Sequence, residues 1–339
     1  MRSDLDLPMK AINFPARAEV AFGNLPDPVA GAGEVVVEVR ASGICHTDFE
    51  VLNANYGTSA FPVVPGHEYS GVVADVGQGV TGLSVGDRVV VDPNLECGDC
   101  RACRRGWAHL CEKLGAYGVT RDGGFAGLSV VKASAVHPIG DMDFGIAALA
   151  EPMGCVLNGV AAVHDPVMES ALIFGAGPMG LLMAIALRTA GMAEITFADI
   201  DGSRLDLAAS FGFGGVASRS GALAEFRHGV DLAVDATGVP AVAGGLVDYI
   251  ANGGKGLFFG VCPADARIEV SPFEIFRRQL TLAGSHSLNH NIPAALGTIA
   301  AYGPDIARIV SHRMSLEEVS TILAGKPPRG SLKIQAVMD

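Results

Sequence analysis

The stretch Ser170-Ala-Leu-Ile-Phe-Gly-Ala-Gly-Pro-Met-Gly-Leu-Leu-Met-Ala-Ile-Ala-Leu-Arg-Thr-Ala-Gly191 decides the fold of the second half of the chain. An apolar run ends in glycine, and a helical pattern begins after Gly177, with Gly175, Gly177 and Gly180 in G-x-G-x-x-G spacing. The first glycine permits a tight turn, the second a close approach of pyrophosphate to the backbone, and the third close packing of helix on strand. The helix N-terminus then faces the phosphates. About 20 residues on, the next apolar run, EITFAD, ends in Asp199, where a carboxylate can accept a ribose hydroxyl. That context makes the loop a dinucleotide site. A carboxylate there repels a 2′-phosphate, with Asp201 adding to the repulsion, so NAD is expected over NADP; Arg204 is the counter-argument, as a phosphate receiver.

Working outward, strand-like runs (SALIFGAG, EITFAD, VDLAVDAT, GKGLFFGV) alternate with helical ones (PMGLLMAIALRTAG, GSRLDLAASFG) from about residue 160 to 283. Parallel neighbours need crossover helices, so the alternation predicts an α/β fold with a doubly wound parallel sheet. Before about residue 155 the chain is rich in short β-like runs (EVVVEVRASG, YSGVVADVG, GDRVVVDPN) punctuated by glycine and proline, as in a barrel-like β domain. After Ser285 it returns to mixed structure, and SLKIQAVMD is expected to rejoin the first region as a strand. The expected domains are therefore 1–157 with 285–339, and 158–284.

With 339 residues, 18% charged and 49% hydrophobic, the composition is globular and favours two domains. A net charge of -12 without any Lys/Arg run argues against nucleic acid or an anionic membrane as partner. Mean hydropathy is +0.36. The apolar stretch ALIFGAGPMGLLMAIAL is nevertheless shorter than the roughly 20 residues of a membrane span and is broken by glycine and proline. The opening MRSDLDLPMKAINF carries acidic residues where a signal peptide has its apolar core, so a cytoplasmic location is expected.

Four of the seven cysteines crowd the segment CGDCRACRRGWAHLC: Cys97, Cys100, Cys103 and Cys111, spaced C-x2-C-x2-C-x7-C. Four thiolates so close in sequence can wrap one tetrahedral Zn²⁺. The ferredoxin pattern has x3 before its last cysteine and a proline after it, and neither holds here. A Cys₄ site has no open position, so these sulfurs clamp a lobe, expected over 93–115, and the chemistry belongs elsewhere.

Elsewhere, GICHTD, PGHEYSG and ALAEPMGC offer Cys45, His67, Glu68 and Glu151, a mixture of soft and hard ligands that suits a catalytic zinc with an exchangeable position. Cys155 reads as core. These motifs, the four-cysteine segment and GAGPMG stand in the order found in zinc-dependent medium-chain dehydrogenases, and the chain resembles that family from about Met9 onward. Glu151 in AEP and the VDPN before the lobe are similar to its sorbitol/polyol branch.

The resemblance implies a GroES-like β-rich catalytic domain bearing the structural zinc lobe, a Rossmann NAD domain, two Zn²⁺ per chain, and a homodimer or homotetramer. It implies Cys45 and His67 as zinc ligands, Glu68 as a ligand or just beyond contact, and Glu151 as a ligand or the partner of a bound water. Charge counting favours the water for Glu151, because a second carboxylate on the ion would weaken its acidifying power. Pro178, Met179, Asp199, Arg204, Gly260, Val261 and the segment Ser285, His286, Ser287 would line the NAD site. Thr47 would take the first proton. The position five after the zinc cysteine, often histidine in the family, is Glu50, so the relay ends either there or through Glu151. Zinc can lower the pKa of bound water from about 15.7 to about 7, worth roughly 12 kcal/mol, more than a hydrogen bond supplies. SHSLNHN, with His286, Asn289 and His290, would suit a polyhydroxylated substrate. The expected activity is NAD-linked interconversion of a secondary alcohol, a polyol first, and its ketone. The alternatives are a threonine or simple secondary-alcohol dehydrogenase, or a zinc- and NAD-binding protein without catalysis.

Overall fold

A computed structural model describes residues 8–55 and 60–338. The acidic Asp4 and Asp6, on which the expected location rests, lie outside the described residues. The chain folds as two compact units, Met1–Glu151 with Ile292–Asp339, and Pro152–Asn291.

The core of the first unit is a seven-stranded sheet. Its spine is Glu34–Gly43, whose valines Val35, Val37 and Val39 are buried against Tyr69, Val73, Val89, Val91 and Val131. Each fully buried valine or leucine contributes about 1.5–3 kcal/mol of transfer free energy, so this face holds the sheet together. The spine pairs antiparallel with Glu68–Val76 on one side and with Lys333–Val337 on the other. The late strand lies between the spine and Val310–Met314. The expected return of SLKIQAVMD is therefore a strand inserted into the sheet, with Gln335 opposite Gly43 and Ala336 opposite Ser42. A second apolar cluster joins Ile12, Phe14, Val51, Val63 and Phe125 to Leu316, Val319 and Leu323 of the helix Leu316–Ala324. That helix begins with a reciprocal cap between Ser315 and Glu318.

The second unit is a six-stranded, all-parallel sheet. Its order is Gly214–Ala217, Glu194–Asp199, Ser170–Phe174, Val230–Asp235, Ile250–Phe258, Thr281–Gly284. Successive strands run outward to one side of Ser170–Phe174 and then to the other. The order therefore reverses beside that strand, at whose carboxyl end ligands bind in such sheets. The four strand-like runs read from the sequence in this region all overlap observed strands, the last beginning four residues earlier than read, at Ile250; Gly214–Ala217 and Thr281–Gly284 are additional.

The apolar stretch within 171–187 divides into a strand and a helix. A longer apolar run than the one expected exists at Phe144–Val163: 20 residues, long and apolar enough to cross a membrane, yet 67% of its most apolar window is buried inside the protein. That burial, with Glu151 itself only 6% exposed, marks a core helix.

Candidate metal and dinucleotide sites

The spine strand delivers its last residues directly into a helix. Cys45 is the N-cap of His46–Leu52, and Asp48, fully buried on the first turn, accepts the Cys45 amide with Oδ2 at 2.8 Å. Asp48 Oδ1 accepts the Gly66 amide at 3.2 Å and lies 3.5 Å from His67 Nδ1. One carboxylate thus ties together the two separated segments that carry Cys45 and His67. Glu68 follows as the first residue of its strand, opposite Gly43.

The result is a group in which ligand atoms of half-buried Cys45 and of buried His67 and Glu68 all lie within 4.8 Å of one another. His67 Nδ1 and Glu68 Oε2 are buried without a hydrogen bond, a costly arrangement for polar atoms. Burial alone pulls the His67 pKa down, but Asp48 and Cys45 outweigh it and hold the imidazole well above its ordinary value. The sulfur, nitrogen and oxygen donors gathered here suit a zinc ion. With Asp48 facing Nδ1, Nε2 is the nitrogen left for the ion, and the carboxylate orients the ring.

Glu151 is buried on the first turn of Ala150–Val163 and does not belong to this group of three. The Thr47 hydroxyl lies 3.6 Å from Cys45 Sγ. Glu50 forms a 3.2 Å pair with His46 Nε2, one helical turn back on the same helix, where His46 is exposed and Glu50 half-buried.

Two participants escaped the sequence. Asp48 stands inside the quoted GICHTD, and its spacing of three from the cysteine is a capping signal that could have been read. Lys333 had no local signal. It comes from the late strand, is 4% exposed, and donates to Glu68 Oε1 at 2.7 Å and to the Ile44 carbonyl at 3.3 Å. Burial pulls its pKa down, but Glu68, then Cys45 and Glu151, outweigh that and hold the ammonium above the usual lysine value.

The four lobe cysteines also converge, with their sulfurs within 4.8 Å of one another. Backbone amides point at these sulfurs: Cys97 N and Lys113 N at Cys111 Sγ, each at 3.3 Å, and Cys103 N at Cys100 Sγ at 3.5 Å. The amides of Cys103 and Glu112 hold the Cys100 thiol down to about 6, while a hydrogen bond to the Asp99 side chain pushes Cys97 up to about 12. All seven cysteines are free.

In the second unit, Gly175 closes the strand at φ +98°, and a Cβ at Gly180 would lie 2.0 Å from the Gly175 carbonyl oxygen. Only glycine fits either place. Gly177 caps the helix Pro178–Thr189, with Pro178 at its first position and Met179 next to it. Asp199 is buried; its Oδ2 accepts the Ala176 amide at 2.7 Å and its Oδ1 the Asp201 amide at 2.9 Å. The carboxylate therefore fastens the glycine loop and keeps further lone pairs for hydroxyl donors. Arg204 Nη1 lies 3.4 Å from where a Gly177 Cβ would be, and its buried Nε has no hydrogen bond. The Gly260 amide donates to the Asp235 carbonyl at 2.7 Å, and Val261 is 88% exposed. Ser285 Oγ is buried without a partner. Asn158, not anticipated from the sequence, donates to the carbonyls of His286 and Ser287 at 3.1 and 2.9 Å and so pins that loop, where Ser287 and His290 both have positive φ.

Comparison with known proteins agrees with this arrangement. The alcohol dehydrogenase GroES-like domain matches residues 31–141, and the zinc-binding dehydrogenase domain matches 178–301. D-altritol 5-dehydrogenase of Agrobacterium fabrum strain C58 is 50% identical over 332 residues, covering 96% of this chain and 99% of its own. The chain belongs to the zinc-binding alcohol dehydrogenase family. Another relative in that family, D-arabinitol dehydrogenase 1 of Uromyces fabae, is 32% identical over 91% of this chain and 90% of its own. A Sinorhizobium meliloti 1021 structure bound to NADP superposes with a TM-score of 0.94 at 29% identity, covering 98% of this dehydrogenase and all of that chain. The fold is thus the GroES-like unit with a Rossmann unit.

Proposed function

We propose that this dehydrogenase oxidises a secondary hydroxyl of an acyclic polyol to a ketone, with NAD as hydride acceptor. The observation that carries the reading is the Cys45, His67 and Glu68 group with the buried, unsatisfied Glu68 Oε2, in a chain half identical to an altritol dehydrogenase. Cys45, His67 and Glu68 would hold a catalytic zinc, and Cys97, Cys100, Cys103 and Cys111 a structural one. The catalytic ion, when bound, makes a hydroxyl acidic enough to ionise near neutral pH.

The chain's own groups do the rest. Asp48 keeps His67 in orientation, and Thr47, beside Cys45 Sγ, takes the first proton from the substrate hydroxyl. Glu50 and its partner His46, the latter exposed to solvent, stand on the same helix and can pass that proton on. Glu151 acts through water. In the Rossmann unit Gly175, Gly177 and Gly180 receive the pyrophosphate, Asp199 the adenosine ribose, and Arg204 lies over the loop. Asp199 favours NAD because a 2′-phosphate there meets a carboxylate held in place by two amides. Gly260, Val261 and the pinned segment Ser285 to Ser287 line the remainder of that site. We read the chain as a cytoplasmic homo-oligomer, in keeping with its free cysteines.

The test is metal analysis of the purified protein together with a screen of altritol, arabinitol, galactitol, sorbitol, threonine and 2-propanol, each with NAD and with NADP. Two zinc ions per chain and the highest kcat/KM for a polyol with NAD are expected. Preference for threonine or a simple alcohol would replace the substrate class. Absence of zinc from the Cys45 site would remove the reading itself.

A further inference from the structure

Lys333 occupies an expensive position. A lysine buried inside a sheet keeps its charge only if a partner compensates it, and here the ion partner is Glu68 Oε1 at 2.7 Å. The two residues are 265 positions apart in sequence and come from strands that flank the spine on opposite sides. Glu68 is fixed on its other side as well. Its Oε2 lies 2.3 Å from where a Gly43 side chain would begin, so it occupies space that only glycine leaves open. One oxygen of Glu68 is thus spoken for by an ammonium, and the other, against Gly43, is buried without a hydrogen bond, in a carboxylate that lies within 4.8 Å of the ligand atoms of Cys45 and His67.

We propose that Lys333 is a positioning residue that restricts Glu68 to one-oxygen ligation of the catalytic metal and so keeps a coordination position open for the substrate hydroxyl. This inference rests on the zinc-dehydrogenase reading above and specifies how its metal site is kept open. A catalytic zinc works with three protein ligands and one exchangeable position. A carboxylate free at both oxygens can grip an ion through both and crowd that position. The ammonium prevents this in two ways: it occupies Oε1, and it offsets part of the carboxylate's charge, which makes Glu68 a weaker donor. The groups acting on Lys333 are Glu68, Cys45 and Glu151. Those assembled around the metal position also include His67 and Asp48.

The experiment follows zinc transfer from the folded holoenzyme to a coloured chelator, with Cys45→Ser used to identify which phase of release belongs to the catalytic site. Lys333→Met is expected to release that zinc about fivefold or more slowly than the unaltered protein, while kcat falls. Lys333→Arg, which restores a cation, should return both toward the starting values. The double variant Lys333→Met/Glu68→Gln should lose the slow release, because the second oxygen no longer bears a carboxylate's charge. Release from Lys333→Met that is unchanged or faster overturns the proposal, since a lysine that merely packs the sheet loosens the site when removed. Should Lys333→Met not fold, Lys333→Gln is held to the same outcome. A preparation with no Cys45-dependent zinc phase defeats the functional reading instead, so the two failures are told apart.

Discussion

Asp48 lies 3.5 Å from His67 through one carboxylate oxygen and holds the Cys45 amide through the other. Two of the three residues that would bind the metal are thereby oriented by a single side chain with no exposure to solvent. Removing such a partner of a ligating histidine typically costs about 10–100-fold in metal affinity or activity. Asp48→Asn is therefore expected to lower kcat/KM by about that factor and to weaken zinc retention, with the second unit still binding NAD. Zinc content and activity measured side by side check it; full zinc retention with normal turnover would contradict the role.

The lobe has a pH signature of its own. Cys100 is held down to about 6 by the amides of Cys103 and Glu112, so its thiolate form contributes stability fully above the ordinary thiol value. In metal-free protein that contribution is lost as pH falls through about 6. In metal-stripped protein at neutral pH, Cys100 is expected to be alkylated ahead of Cys97, whose thiol is pushed up to about 12. Peptide mass spectrometry after brief alkylation reads the order, and zinc should protect all four cysteines.

Asp199 carries the choice of dinucleotide. Asp199→Asn keeps the shape of the side chain and removes the charge that meets a 2′-phosphate. The ratio of kcat/KM for NADP to that for NAD is expected to rise about tenfold, corresponding to about 1.4 kcal/mol. An unchanged ratio would shift the discrimination to Asp201 or Arg204.

Gly180→Ala tests the glycine loop. Its Cβ would fall 2.0 Å from the Gly175 carbonyl oxygen, which is backbone and must move. Overpacking of this kind costs about 1–3 kcal/mol. Thermal unfolding should register that loss, and NAD affinity should fall with it, while zinc content stays the same.

What could be read in advance follows the range of the interactions involved. The glycine loop, Asp199 and the four cysteines lie in short segments whose spacing reflects local geometry, and those segments form compact groups in the structure. The alternation of strand and helix between 160 and 283 was legible for the same reason: each crossover is a local device. Lys333 and Asn158 were not legible, because each acts on a residue more than 120 positions away. Nothing beside either in sequence records the partner. Glu151 and Asn158 interrupt the apolar run at Phe144–Val163, and only the fold shows that its interior is buried.

The insertion of Lys333–Val337 between Val310–Met314 and the spine has a consequence for biosynthesis. A ribosome delivers all of residues 152–291 before it delivers the strand for which the first unit keeps a slot. Until that strand arrives, Glu68 lacks the ammonium of Lys333, and the nascent first unit presents an open sheet edge along Ala41–Gly43. The second unit, contiguous in sequence, can close while translation continues, whereas the metal-binding unit must wait for its last strand.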